Sequence, residues 1–121
     1  MSVRALVPMA FVASVARSIA FYQKLGFELG NTHRPEREPE PVWAWMKSDL
    51  AQLMLAKASH PVDPEMQAVL FYLYCDDVAA FREAIVGRGI EAGPIQHPFY
   101  SPRGEFRVTD PDGYALLISH T

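Results

Sequence analysis

The chain has 121 residues, half of them apolar, and a formal charge of −3. That length suits one compact domain spanning 1–121, and the charge offers no basic footprint for nucleic acid. The lone cysteine, Cys75, excludes an internal disulfide and a cysteine-rich zinc site and fits a reduced, cytoplasmic setting.

The opening stretch MSVRALVPMAFVASVARS lacks a cationic lead, and Pro8 breaks its apolar part. It is expected to be mature protein and not a secretion signal. No apolar run approaches the roughly 20 residues a membrane helix needs. VRALVPMAFV reads as a strand. Ser14 is a candidate N-cap, after which Val15, Ile19, Tyr22 and Leu25 share one helical face and Gly26 ends the helix. A strand near 27–33 follows. The proline-rich, charged RPEREPEP (34–41) cannot pack as core and is expected to be a mobile loop, with a lid as the sharper alternative. VWAWMKS (42–48) and AQLMLAKA (51–58) read as further strands, and SHPVDPE (59–65) as a connector.

The second half repeats this grammar. VARSIAFYQKLGFELG (15–30) and VAAFREAIVGRGIEAG (78–93) align at an offset of 63 residues, about half the chain. QAVLFYLYC reads as a strand, and Asp76 or Asp77 caps a helix with Val78, Phe81 and Ile85 on its face. Gly89 ends it, a strand lies near 90–96, and GEFRVTD (104–110) and YALLISH (114–120) form a hairpin whose turn is supplied by Asp112-Gly113. Modules 1–58 and 66–121 thus each read β-α-β-β-β in an α+β domain. Cys75, inside an apolar run, is expected to be packed and inert.

VPMAFVASVARSIAFYQKLGFELG, the duplication and FRVTDPDGYALLISH together resemble the vicinal oxygen chelate superfamily, which includes glyoxalase I, extradiol dioxygenases, fosfomycin-modifying proteins and bleomycin-resistance proteins. The resemblance implies incomplete mixed β-barrels around a cavity with helices outside. It also implies a homodimer and, in metal-dependent members, a divalent ion held by one residue from the first and last strand of each module. Carried over residue by residue, those positions fall on Val7, Leu70, Leu117 and Leu55, or Met54 if the register slips by one residue. None is a suitable donor. The expectation is therefore a protein without a metal, cofactor or catalytic residues, closest to the bleomycin-resistance type, that sequesters an antibiotic or aromatic metabolite. The alternative is a glyoxalase- or dioxygenase-type enzyme with relocated ligands, for which His97 with Glu105 is the best available pair.

Alternation along the strands nominates the ligand-binding residues. Met9 and Phe11 share a parity with Val7, Tyr72 and Tyr74 with Leu70, and Trp43 pairs with Trp45. Phe99 and Tyr100 lie in a loop, while Arg103, Glu105 and Arg107 alternate beyond it. Aromatic faces can stack on a planar guest, an arginine can hold a carboxylate or sulfate, and Glu105 an amine. The competing expectation is that Phe11 and Phe71 are core, and that the charged trio is a solvated strand face.

Overall fold

Two short polar side chains fix where the helices begin. In the computed structural model, which describes residues 1–121, Ser14 Oγ accepts the Arg17 N–H at 3.1 Å and opens α1 (Val15–Lys24). Asp77 Oδ1 accepts the Ala80 N–H at 3.0 Å and opens α2 (Val78–Gly87). Each cap satisfies a backbone donor that the helix cannot. Just past each helix stands a glycine at positive φ, Gly26 at 98° and Gly89 at 91°, as the sequence leads one to expect.

The chain divides into two compact units, Met1–Val62 and Asp63–Thr121. In the first, β1 (Met9–Val12), β2 (Glu28–His33), β3 (Trp43–Ser48) and β4 (Ala51–Lys57) form one sheet in the order β1-β4-β3-β2. β1 runs parallel to β4, and the remaining pairs are antiparallel. Alternation sends Ala10, Val12, Ala44, Met46, Leu53 and Leu55 to one face, where they are buried together with Val15, Ile19 and Tyr22 of α1. In the second unit, β5 (Leu70–Cys75), β6 (Glu105–Thr109) and β7 (Ala115–His120) follow the order β5-β7-β6, with β5 parallel to β7. Phe106, Val108, Leu116 and Ile118 are buried, as are Val78 and Ile85 of α2. The expected α+β architecture is therefore present, as two mixed, open sheets of four and three strands, each with one helix.

Four expectations need correction. No strand forms over 90–96, where only Gln96 bridges Glu105. Pro94 has no N–H to give a ladder, although Gly93 N still donates to Arg107 O at 2.9 Å and Gln96 N to Glu105 O at 2.8 Å. The first strand is short, beginning only after Pro8. Phe11 is not core: it is 53% exposed, because its neighbours Ala10 and Val12 take the buried face. Finally, segment 34–41 is anchored. Ser14 Oγ donates to both carboxylate oxygens of Glu40 (2.9 and 3.2 Å) and Lys57 pairs with Glu38 at 3.4 Å, while within the segment Arg34 donates to Glu38 O at 2.8 Å. Charges that forbid core packing tie the segment to its surroundings instead.

The final hairpin is held by a buried carboxylate. Asp110 Oδ1 accepts the N–H groups of Asp112 and Tyr114, each at 2.9 Å, and Gly113 N donates to Asp110 O at 3.0 Å. Gly113 has φ 89°, and a Cβ there would lie 2.5 Å from Pro64 Cα, whereas at Gly26 it would meet nothing within 4 Å. Gly26→Ala is expected to cost roughly 1–2 kcal/mol from left-handed backbone alone. Gly113→Ala adds a backbone clash and is expected to cost distinctly more, a ranking that urea denaturation of the two variants would check.

Candidate functional site

Each sheet has a second face, turned away from its helix by the same alternation that builds the core. In the first unit, the register sets Met9 beside Met54 and Met54 beside Trp45. One row along, Phe11 lies beside Ala56 and Ala56 beside Trp43. Met9 and Phe11 are exposed, and both tryptophans are half-buried. The two indoles meet edge to face, with centroids 6.2 Å apart at 85°. Trp45 Nε1 donates to Gln52 Oε1 at 3.0 Å, so its polar edge is satisfied while its ring stays available for stacking.

In the second unit, three rows cross the sheet. Leu70, Ala115 and Thr109 form one, Tyr72, Leu117 and Arg107 the next, and Tyr74, Ser119 and Glu105 the third. Tyr72 and Tyr74 are exposed and stack at 6.0 Å and 24°. Desolvation pushes the Tyr72 phenol above its ordinary pKa, and the Glu105 carboxylate and the Tyr100 phenol push it the same way. Tyr72, Tyr100 and Glu105 are thus electrostatic neighbours. Phe99 and Tyr100 are exposed and meet edge to face at 5.3 Å. Phe71 lies on the other parity and stacks on Tyr114 at 5.5 Å.

The charged trio separates. Glu105 is only 6% exposed and its Oε1 has no hydrogen-bond partner, while Arg107 on the same face is exposed. Neither the solvated-face expectation nor a single row of charges describes this arrangement. Arg103 does not join them: Gly104, at φ 105°, breaks the alternation before β6 begins. The Arg103 guanidinium instead donates to the His120 ring at 3.1 Å. Two residues passed over in the sequence, Ser101 and Ser119, are buried beneath this face with their hydroxyls 2.7 Å apart. Ser119 shares the parity of Leu117, the one signal that would have placed it.

The register fixes the positions where the resemblance implies metal ligands. Met9 pairs with Met54 and Tyr72 with Leu117. These pairs are equivalent under the 63-residue repeat, so Met54 is the counterpart of Leu117. Leu55 is fully buried toward α1. Val7, Met54, Leu70 and Leu117 therefore present three hydrocarbons and one thioether, a set that does not fit a hard or borderline divalent ion. His97 does not repair the deficit. Gln96, not His97, sits opposite Glu105, and no group of three His, Cys, Asp or Glu side chains is arranged to hold a metal. Cys75 offers no activated thiolate either, because desolvation, reinforced by the charges of Asp76 and Asp77, raises its thiol pKa.

A family model for the Glyoxalase/Bleomycin resistance protein/Dioxygenase superfamily matches residues 5–118. Among solved structures, a bleomycin-binding protein complexed with bleomycin is 20% identical, with 98% of this chain and 99% of that chain covered at a TM-score of 0.77. A bleomycin resistance determinant encoded on transposon Tn5 is 19% identical, covering 98% of both chains at 0.78. TnmS3, an antibiotic binding protein from Streptomyces sp. CB03234, is 20% identical, covering 99% and 98% at 0.76. No curated protein matches the sequence. No helix is long and apolar enough to cross a membrane. Matched from near its start to near its end, the chain belongs to the Glyoxalase/Bleomycin resistance protein/Dioxygenase superfamily.

Proposed function

We propose that this protein is a metal-free binder of a small aromatic molecule, an antibiotic or an aromatic metabolite, that acts by sequestration in the cytoplasm as a homodimer. One observation carries the proposal. Paired aromatic rings, Trp43 with Trp45 and Tyr72 with Tyr74, stand on the sheet faces where the family's metal positions have become apolar. Stacking on such rings contributes about 0.5–1.5 kcal/mol per aromatic pair beyond the area buried. A few polar groups beside them then select the guest. Holding a molecule in this way removes it from solution without making or breaking a bond. The structural neighbours named for bleomycin and antibiotic binding support the proposal by fold. Met9 and Phe11 in one unit and Leu70, Tyr72 and Tyr74 in the other are all exposed in a single copy, and covering part of either apolar face with a second copy is the favourable route to a dimer.

A thermal-shift screen of antibiotics, bleomycin included, and aromatic metabolites tests the proposal. A guest at 100 times its Kd is expected to stabilise the fold by about 2.7 kcal/mol. Trp45→Ala and Tyr72→Ala are each expected to weaken that guest about tenfold while the protein stays folded. A screen in which nothing stabilises the protein counts against sequestration. Elemental analysis of protein purified without chelator is expected to find substoichiometric metal, and EDTA to leave the Tm unchanged. Stoichiometric Ni, Zn, Mn or Fe would restore the enzyme alternative. Sedimentation equilibrium is expected to return twice the chain mass, and a concentration-independent monomer would remove the dimer.

A further inference from the structure

Glu105 is the least explained polar group in the molecule. The residue is only 6% exposed, and Oε1 is closed to solvent without a hydrogen-bond partner. Buried carboxylate oxygens are ordinarily paired, since nothing else replaces the water they give up. The neighbours that might pair with it are otherwise engaged. Ser119 stands opposite Glu105 in the register, and Ser101 lies beside Ser119. Ser101 Oγ donates to Gly104 O at 3.1 Å, so the Oγ–Oγ contact at 2.7 Å must use the Ser119 proton. Neither hydroxyl keeps a proton for Glu105. Arg107 shares the face two residues along, yet it stays exposed and leaves Oε1 unpaired. Arg103 turns to His120 instead.

Across Ser119 from Glu105, the same face of the sheet carries aromatic side chains. Tyr74 completes its row across the sheet, and Tyr72, stacked on Tyr74, lies one row away. Ring faces carry partial negative charge and attract cations, most strongly where water is excluded. A carboxylate oxygen without a partner, on a sheet face that also carries two tyrosine rings, suits positive charge.

We infer that Glu105 receives a cationic nitrogen of the bound guest, a protonated amine or amidine, with Tyr72 and Tyr74 flanking it. This rests on the aromatic-binding proposal above and narrows it: the guest is a planar aromatic molecule bearing a cationic nitrogen. Oε1 is closed to solvent in the free protein, so the guest reaches it only as neighbouring side chains shift; the charge-assisted hydrogen bond formed there selects the cation, and the exposed rings of Tyr72 and Tyr74 hold its aromatic body.

A matched pair of probes tests this. 1-Naphthylmethylamine carries an ammonium group at neutral pH, and 1-naphthalenemethanol presents the same ring system with a neutral hydroxyl. Isothermal titration of the wild-type protein is expected to show the amine binding at least tenfold more tightly. In Glu105→Gln, which keeps the shape and removes the charge, the two are expected to bind within about twofold of each other, the loss falling on the amine. Equal binding of the probes by wild type overturns the cation assignment and leaves aromatic sequestration standing. Failure of both to bind at millimolar concentration overturns both proposals. A preference that survives intact in folded Glu105→Gln places the cation elsewhere and overturns the assignment to this residue. If the variant fails to fold, the wild-type pair still decides whether a cation is selected, and Tyr74→Phe with Tyr74→Leu locates it. The preference is expected to persist in the first and to fall several-fold in the second, and an unchanged preference in both overturns the assignment.

Discussion

The period-two alternation of side chains along seven strands is the constraint on which everything else depends. On one face of each sheet it gathers the residues that bury against a helix, such as Ala44, Met46, Leu53 and Leu55 beneath α1 and Phe106, Val108, Leu116 and Ile118 in the other unit. A slip of one residue would carry the whole apolar set to the wrong side. The core therefore fixes the register, and the register fixes what the opposite face presents. Met54 and Leu117 look away from the helices because Leu55, Leu116 and Ile118 look toward them.

That division lets chemistry change without changing the fold. The helix-side residues carry stability, while the open face is free to exchange metal donors for hydrocarbon and aromatic groups. Val7, Met54, Leu70 and Leu117 are apolar or thioether side chains at those positions, and under the proposed function Trp43, Trp45, Tyr72 and Tyr74 supply the binding surface there. Membership of a superfamily that contains enzymes is compatible with a chain built to bind, because function rests on the site and not on the scaffold.

How much of this was legible in the sequence follows the range of the interactions involved. Ser14 and Asp77 announced the helix starts and Gly26 and Gly89 their ends, because capping acts over a few residues. The final hairpin is readable for the same reason, since its Asp112-Gly113 turn is also local. The repeat's grammar points to a strand near 90–96, but Pro94 denies the ladder a donor there and no strand forms. Phe11 was misplaced because an apolar run does not say which of its residues face the helix. Around the candidate site, the parity of Met9, Trp43, Trp45, Tyr72 and Tyr74 was accessible. The burial of Glu105 was not, since it depends on a loop closing through Ser101, Gly104 and Ser119, and the break at Gly104 removed Arg103 from a row that the sequence seemed to continue.

Glu105 and the open apolar faces are two costs that the free chain bears together. A buried, unsatisfied acceptor lowers stability by about 1–3 kcal/mol, and exposed rings leave apolar area in water that folding would otherwise remove. The apolar cores against the helices lie on the other side of each sheet. Under the proposed function both are relieved by the same event: a guest that stacks on the tyrosines would withdraw their faces from water, and a cation on that guest would supply the missing partner of Oε1. Relief that comes only in the bound state adds directly to affinity, whereas an internal partner such as Arg107 folded onto Glu105 would stabilise the empty protein and weaken its grip by the same amount. An arginine that stays in solvent two residues from an unpaired carboxylate leaves that free energy to the guest.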